Sequence, residues 1–488
     1  MKKITCFLIS IVSTTFLYSQ TQIGSDIDGE AALDQSGFSV DLSSDGTVIA
    51  IGAINNLGEN GFHSGHVRVY ENISDTWSQI GSDIDGEFAA DRSGNSISLS
   101  SDGNIIAIAG YYNDGNGNGS GHVRVYENMS GIWSQIGNDI DGESVNDFSG
   151  YSLSTSSDGV IIAVGTPFNG SNRGHVRVYE NIDGIWTQIG ADIDGEAVGD
   201  FSGNSISLSS NGNTLAVGAS GNDGNGNGSG HVRVYENISD TWSQIGSDID
   251  GEAVGDESGF SVSLSSNGNM LAVGAVGNND NTGHVRVYEK ISGTWTQIGA
   301  DIDGEAVGDE SGVSVSLSSN GSVVAIGASD NDGENGSDSG HVRVYKYISG
   351  IWTQVGSDLD GEAANDFSSY SLSLSSNGSI VAIGAPLNDG ENGSDSGHVR
   401  VYDLTAVLST KSFEKDYFSY YPNPVQDILN INLKKGLDLK RVNIYNIQSQ
   451  YLYSVKTQKI DVSDLSSGIY FIEVETNQGK SAKKIVIN

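Results

Sequence analysis

The sequence predicts an all-β protein, a seven-bladed β-propeller with four-stranded blades followed by a small β-sandwich, and three observations carry that prediction. The string Gly-His-Val-Arg-Val-Tyr occurs seven times, with its histidine at His66, His122, His175, His231, His284, His341 and His398, spaced 53 to 57 residues apart. Repeats of that period identify the architecture before any single motif is read. Six units continue into Trp-(Ser/Thr)-Gln-(Ile/Val)-Gly, at Trp77, Trp133, Trp186, Trp242, Trp295 and Trp352, and the seventh does not. Finally, composition changes near residue 408: residues 21–408 carry 11 Lys and Arg against 54 Asp and Glu, a formal −43, whereas 409–488 carry 11 against 8, a formal +3.

Residues 247–299 illustrate the unit. Short β-rich runs fall at 260–264, 270–275, 284–289 and 294–298. The first two are separated by Ser-Ser-Asn-Gly, or Ser-Ser-Asp-Gly in the first three units, and Asn-Gly or Asp-Gly supplies the positive φ of a tight hairpin. The last two are joined by a turn such as Lys290-Ile291-Ser292-Gly293. Four antiparallel strands in a unit of this length make a propeller blade, whereas a β-helix coil is far shorter. The strand missing from the seventh unit has a match at the other end of the chain, in Thr21-Gln22-Ile23-Gly24. The N-terminal segment is therefore expected to complete the last blade beside His398 to Tyr402, which removes the open edges of an unclosed array.

With 66 glycines and four prolines among 488 residues, the chain is too long for one ordinary core and rich in turns. Lys2-Lys3, the apolar stretch Ile4 to Leu17 and then Tyr18-Ser19-Gln20 have the order of a signal peptide, assigned to residues 1–19. The single cysteine, Cys6, lies inside that stretch, so no disulfide or thiolate metal site is expected beyond it. No later run approaches the length that spans a bilayer, so no transmembrane segment is expected. The expected divisions are a propeller over 20–404, a linker over 405–415 and a C-terminal domain over 416–488. The dense negative field of the body repels nucleic acid and anionic lipid and admits cations or cationic surfaces.

Asp-x-Ser-Gly entering the first strand and Val-Gly-Ala leaving the second resemble the FG-GAP family of propeller repeats, as does the literal Gly384-Ala385-Pro386. Ser-Gly, as in Ser36-Gly37 and Ser258-Gly259, stands where that family has its name-giving Phe-Gly. The resemblance implies the propeller fold of integrin α-chain heads and many bacterial secreted proteins. Residues 416–488 resemble the C-terminal sorting domain of the type IX secretion system of Bacteroidetes. The matching segments are Tyr421-Pro422-Asn423-Pro424-Val425 with Asp427 to Ile431, then Val442 to Asn446, and Ile460-Asp461-Val462 through Leu465 to Tyr470. This second resemblance implies a small Ig-like β-sandwich, the type IX machinery as a partner, and a body secreted from, or attached to the outer-membrane surface of, a Gram-negative bacterium. The alternations Leu429/Ile431/Leu433, Val442/Ile444 and Tyr470/Ile472/Val474 independently describe an antiparallel sandwich.

The most distinctive polar motif is Asp-x-Asp-Gly-Glu-x-x-x-Asp, present in every unit. Its members are Asp26, Asp28, Glu30 and Asp34; Asp83, Asp85, Glu87 and Asp91; Asp139, Asp141, Glu143 and Asp147; Asp192, Asp194, Glu196 and Asp200; Asp248, Asp250, Glu252 and Asp256; Asp301, Asp303, Glu305 and Asp309; and Asp358, Asp360, Glu362 and Asp366. Two readings stand. Alternating carboxylates around a glycine bend can turn several oxygens toward one calcium ion. Alternatively, they shape the blade-to-blade turn by accepting from backbone N–H groups.

The repeated His and Arg argue against a catalytic or phosphate site, because an enzyme needs one convergent site. Arg68 and its equivalents are expected to bond between blades, and the tryptophans to anchor blade edges. The fourth-to-first and second-to-third connections are expected on one face, which gathers most of the acid. The residues that break the repeat are Phe62-His63, Arg92, Tyr111-Tyr112 and Arg173. The expected function is a secreted or surface binding or adhesion protein for an extracellular protein or glycan, without catalytic activity. The alternatives are a propeller hydrolase or lyase with a central-channel site, and a structural coat component.

Overall fold

Second strands such as Val48–Ala53 and Val323–Ala328 are apolar without alternation and buried along their whole length. That pattern belongs to a strand covered on both faces, and in a computed structural model of the chain both faces are covered by neighbouring blades. The structure describes residues 19–408 other than Glu59, then 418–446, 451–477 and 479–487. The expected signal peptide up to Tyr18, and residues 409–415 of the expected linker, lie outside the described residues. The chain divides into two compact units, residues 1–408 and 409–488.

The first unit is seven antiparallel sheets. In the first blade, Ser36–Leu42 pairs with Val48–Ala53, which pairs with His66–Asn72, which pairs with Trp77–Gln79. The outer strand is interrupted and resumes as Ile84–Asp85, pairing again with the third strand at His66 and Val67. The seventh blade consists of Ser371–Leu374, Ile380–Ala385 and His398–Asp403, and the N-terminal segment supplies its outer edge. Thr21 lies opposite Asp403 and Gln22 opposite Tyr402, followed by Ile27 opposite Val399 and Asp28 opposite His398. That is the place the count of tryptophan strands left empty.

A second closure runs through the Ser-Ser-Asp/Asn-Gly turns. The N–H of Ser44 donates to the carbonyl of Ser101 (2.8 Å), Ser101 to Ser157 (2.8 Å), Ser157 to Ser210 (2.9 Å) and Ser210 to Ser266 (3.0 Å). Ser266 then donates to Ser319 (3.0 Å), Ser319 to Ser376 (2.8 Å) and Ser376 back to Ser44 (2.9 Å). These seven bonds form an unbroken circuit.

The apolar core lies between blades. Ile27, Val399 and Val401 of the last blade pack with Val40, Leu42, Ile49 and Ile51 of the first in one cluster. Burying a side chain such as Ile49 completely contributes about 1.5–3 kcal/mol. Close approach is possible because of the glycine in Val-Gly-Ala: a Cβ at Gly218 would sit 2.1 Å from the carbonyl oxygen of Gly259 in the next blade. Each tryptophan ties blades together through its indole N–H, which donates to a carbonyl near the end of the preceding unit. Trp77 reaches Ile23 (2.9 Å), Trp186 reaches Ile136 (2.9 Å) and Trp352 reaches Ile298 (2.9 Å).

The second unit is a sandwich of three strands, Phe418–Tyr421, Ile428–Leu433 and Lys459–Asp461, and four, Leu439–Tyr445, Tyr451–Val455, Gly468–Thr476 and Gly479–Ile487. Leu429, Ile431, Val442, Ile444, Ile472 and Val474 fill its core, on the alternation expected from sequence.

Candidate functional site

Backbone bonds join the two sets of loops expected to share a face. The N–H of Arg92 donates to His63 O (3.1 Å), that of Asn146 to Asn118 O (2.9 Å) and that of Glu257 to Gly228 O (3.0 Å). Each fourth-to-first loop is thereby stitched to the second-to-third loop beside it.

The four carboxylates of each loop have different partners. The first accepts from the glutamine four residues earlier, as in Gln79 Nε2 to Asp83 (2.7 Å), and its other oxygen faces the imidazole of the paired strand, 3.6 Å from His66 Nδ1. The second contributes its backbone: the carbonyls of Asp28, Asp85, Asp303 and Asp360 accept from Arg68, Arg124, Arg343 and Arg400 of the following blade at 2.6–2.7 Å. The glutamate lies beside the same arginine, as in Glu30 Oε1 to Arg68 Nη1 (3.8 Å). The last, buried to 2–5% exposure in every unit, accepts from backbone N–H groups of its own loop. Asp256 takes Glu252 N (3.0 Å) and Ala253 N (2.8 Å), and a buried asparagine, Asn278, adds a third bond.

Arg233 departs from the set, engaging the carboxylates of Asp248 and Glu196. Burial, helped by the neighbouring arginine, pushes His66 and His398 down to about 4, so both imidazoles are neutral at neutral pH.

The blades also differ around the axis. First strands are innermost, and on the loop face their entry points surround a cavity of about 560 Å³. The residue after Asp-x-Ser-Gly, or Asp-x-Ser-Ser in the last blade, lines it in every blade: Phe38, Asn95, Tyr151, Asn204, Phe260, Val313 and Tyr370. Tyr111, Phe168 and Phe201 add further rings. The aromatic wall is packed edge to face, with ring centroids 5.5 Å apart for Tyr151–Phe168 and 5.7 Å for Phe168–Phe201.

Charge is distributed unevenly around this mouth. The position of Phe201 is taken in the second blade by Arg92, whose Nη1 donates to Tyr111 Oη (3.0 Å) and whose guanidinium lies over the Tyr112 ring (4.9 Å). In the fifth and sixth blades the same position holds Glu257 and Glu310. Burial raises Glu257, and burial with the nearby Asp330 and Glu257 charges raises Glu310. Burial pushes the Tyr370 phenol up to about 12.

Of the residues singled out as breaking the repeat, the structure brings Arg92, Tyr111 and Tyr112 together. Only Tyr111 of these lines the cavity; His63 bonds Asn55 (2.7 Å), and burial, with the Arg92 charge, lowers its pKa. The ring led by Phe38 and Tyr151 was missed. It was visible as the column of the aligned repeats in which Phe, Tyr, Asn and Val replace one another.

Residues 419–488 match the family described as the secretion system C-terminal sorting domain. The chain is therefore a protein secreted through the type IX system to the cell surface or the extracellular space. No helix among the described residues is long and apolar enough to cross a membrane. No curated protein sequence matches the chain. Among solved structures, it is similar to a candidate 6-phosphogluconolactonase from Bacteroides uniformis, at 12% identity and a TM-score of 0.49, covering 85% of this chain and 96% of that one. It is also similar to the periplasmic gluconolactonase of Pseudomonas aeruginosa, at 17% identity and a TM-score of 0.46, covering 67% and 85%. These likenesses assign no activity to this chain. They do correct the expectation of a chain without catalytic activity, because both neighbours are described as lactonases. A repeated scaffold leaves the axis free to vary, so repetition at the blade edges carries no information about chemistry there.

Proposed function

We propose that this protein is a surface-displayed or released binding protein of FG-GAP type, and that its ligand is a glycan held at the axial mouth on the loop face. The observation that carries this reading is the ring of Phe38, Tyr151, Phe168, Phe260 and Tyr370 around a cavity of about 560 Å³, in an array whose blades are otherwise nearly copies. Cavities of roughly 300–1,000 Å³ suit small ligands. Aromatic faces stack on the apolar faces of sugar rings, while Arg92, Glu257 and Glu310 offer hydroxyl groups both donors and acceptors. The sorting domain supports the same setting, since a protein delivered outside the cell meets polysaccharide there.

A glycan array probed with the full-length protein tests the proposal. Retention of a defined oligosaccharide, lost in Tyr151→Ala and Phe260→Ala, is the expected outcome. Retention that survives both substitutions rules out the mouth as the site.

A further inference from the structure

One histidine of the repeat, His122, has a feature that a scaffold role leaves unexplained. His122 is 1% exposed, and its Nδ1 is buried without a hydrogen-bond partner. That atom faces two carboxylates, 3.8 Å from Glu87 Oε2 and 3.6 Å from Asp139 Oδ2. These separations are too long for hydrogen bonds. They are near the spacing of two ligands sharing one small ion, since metal–ligand bonds of about 2.0–2.2 Å at tetrahedral angles place donor atoms about 3.4 Å apart.

The glutamate is held for this purpose by its other oxygen: Glu87 Oε1 lies 3.8 Å from Arg124 Nη1. The same division recurs elsewhere. Glu30 presents Oε2 to His66 (4.0 Å) and Oε1 to Arg68 (3.8 Å), and Glu362 presents Oε2 to His398 (3.9 Å) and Oε1 to Arg400 (3.6 Å). An outer-shell partner on the second carboxylate oxygen is what orients a metal ligand. Among the described residues, five trios of this composition, centred on His66, His122, His175, His231 and His398, have their donor atoms within 4.8 Å of one another. The aspartate and glutamate of each group come from different loops, so only packed neighbouring blades assemble it, and the trio of Asp26, Glu362 and His398 needs the closed ring as well.

We propose that these His–Asp–Glu trios, that of His122 first among them, each bind a divalent transition-metal ion of the zinc class at a junction between blades. A neutral imidazole nitrogen with two carboxylate oxygens, completed by water, suits zinc, whereas calcium takes six to eight oxygens. The site differs from a calcium loop built from the four carboxylates of one turn, because its ligands span two turns and a strand. Metal bound only by the folded ring stabilises it by mass action.

The test uses full-length protein stripped with a chelator and dialysed against zinc chloride at constant ionic strength, with bound zinc measured by elemental analysis. The expected result is about five ions per chain, falling by about two in the combined variant Glu87→Gln and Glu143→Gln. Those glutamates are a third to a half exposed, so the metal-free variant should melt within about 2 °C of the parent. Cobalt loading of the unsubstituted protein gives an independent readout, the strong visible absorption of low-coordinate cobalt. Less than one zinc per chain, an unchanged stoichiometry in the variant, displacement by equimolar calcium, or cobalt that absorbs only as the hydrated ion would each overturn the proposal.

Discussion

The blade edges and the axial mouth are built from the same repeat, yet they differ in what they preserve. At the edges every unit keeps its arginine, histidine and buried aspartate, six of the seven keep the tryptophan, and these residues make contacts that hold one blade to the next. At the mouth the backbone is equally regular, but the side chain after Asp-x-Ser-Gly changes from blade to blade. Closure of the ring needs identical junctions, while recognition of one ligand needs a surface without sevenfold repetition. The difference teaches that scaffold is read from what repeats and site from what does not.

The comparison breaks most violently if closure is removed. A chain lacking residues 20–28 loses the outer strand of the seventh blade and the Ile23 and Ile27 packing against the first. Thermal unfolding followed by circular dichroism should then begin about 10 °C lower or lose its cooperativity. Truncation after residue 408 should leave the melting of the body within about 1 °C, because 418–487 has a core of its own.

Single junctions give smaller effects. Trp295→Ala removes a side chain 9% exposed together with its bond to Ile245 O (3.2 Å), and should cost about 3–4 kcal/mol in chemical denaturation. Asp256→Ala leaves Glu252 N, Ala253 N and Asn278 without their acceptor and should cost about 2 kcal/mol. A cost below about 0.5 kcal/mol in either would mean the edges are not what holds the blades together.

The smallest effect sharpens the comparison inside the bore. Asp41 stands where the other six blades carry serine, and accepts from Leu99 N (2.8 Å), Leu42 N (2.9 Å) and Ser373 Oγ (2.9 Å). Burial nevertheless raises its pKa above the ordinary 3.8. A carboxyl raised in the folded state gives its full stability below the unfolded value and loses it as pH rises through the folded one. Asp41→Ser should therefore raise the melting temperature at pH 7 by about 1–2 °C, with the advantage vanishing as pH falls toward about 4. An advantage that persists at low pH would show that packing, not charge, sets it.

Much of this was legible in the sequence because repetition is redundant: seven copies of Gly-His-Val-Arg-Val-Tyr and six tryptophan strands specify the sheets, their order and the strand borrowed from the N-terminal segment. The inter-blade role of Arg68 and its equivalents followed from the same logic. Other features were hidden. Partners of Glu87 and Asp139 lie on a strand and a loop of other segments, so a reading within one turn has no means of finding that trio. The ring of Phe38, Tyr151 and Phe260 is dispersed at intervals of more than 50 residues, and only closure makes it contiguous.

The central claim, that recognition resides where the blades differ, is tested most directly by calorimetric titration of the oligosaccharide retained on the array. The proteins to compare are the parent, the double variant Tyr151→Ala and Tyr370→Ala at the mouth, and Phe88→Ala, an exposed ring in a blade-to-blade loop outside the mouth lining. The account predicts at least about tenfold weaker binding for the mouth variant, from the loss of stacking worth about 1.4 kcal/mol or more, and parent-like binding for Phe88→Ala. Parent-like affinity in the mouth variant, or a loss confined to Phe88→Ala, would contradict it.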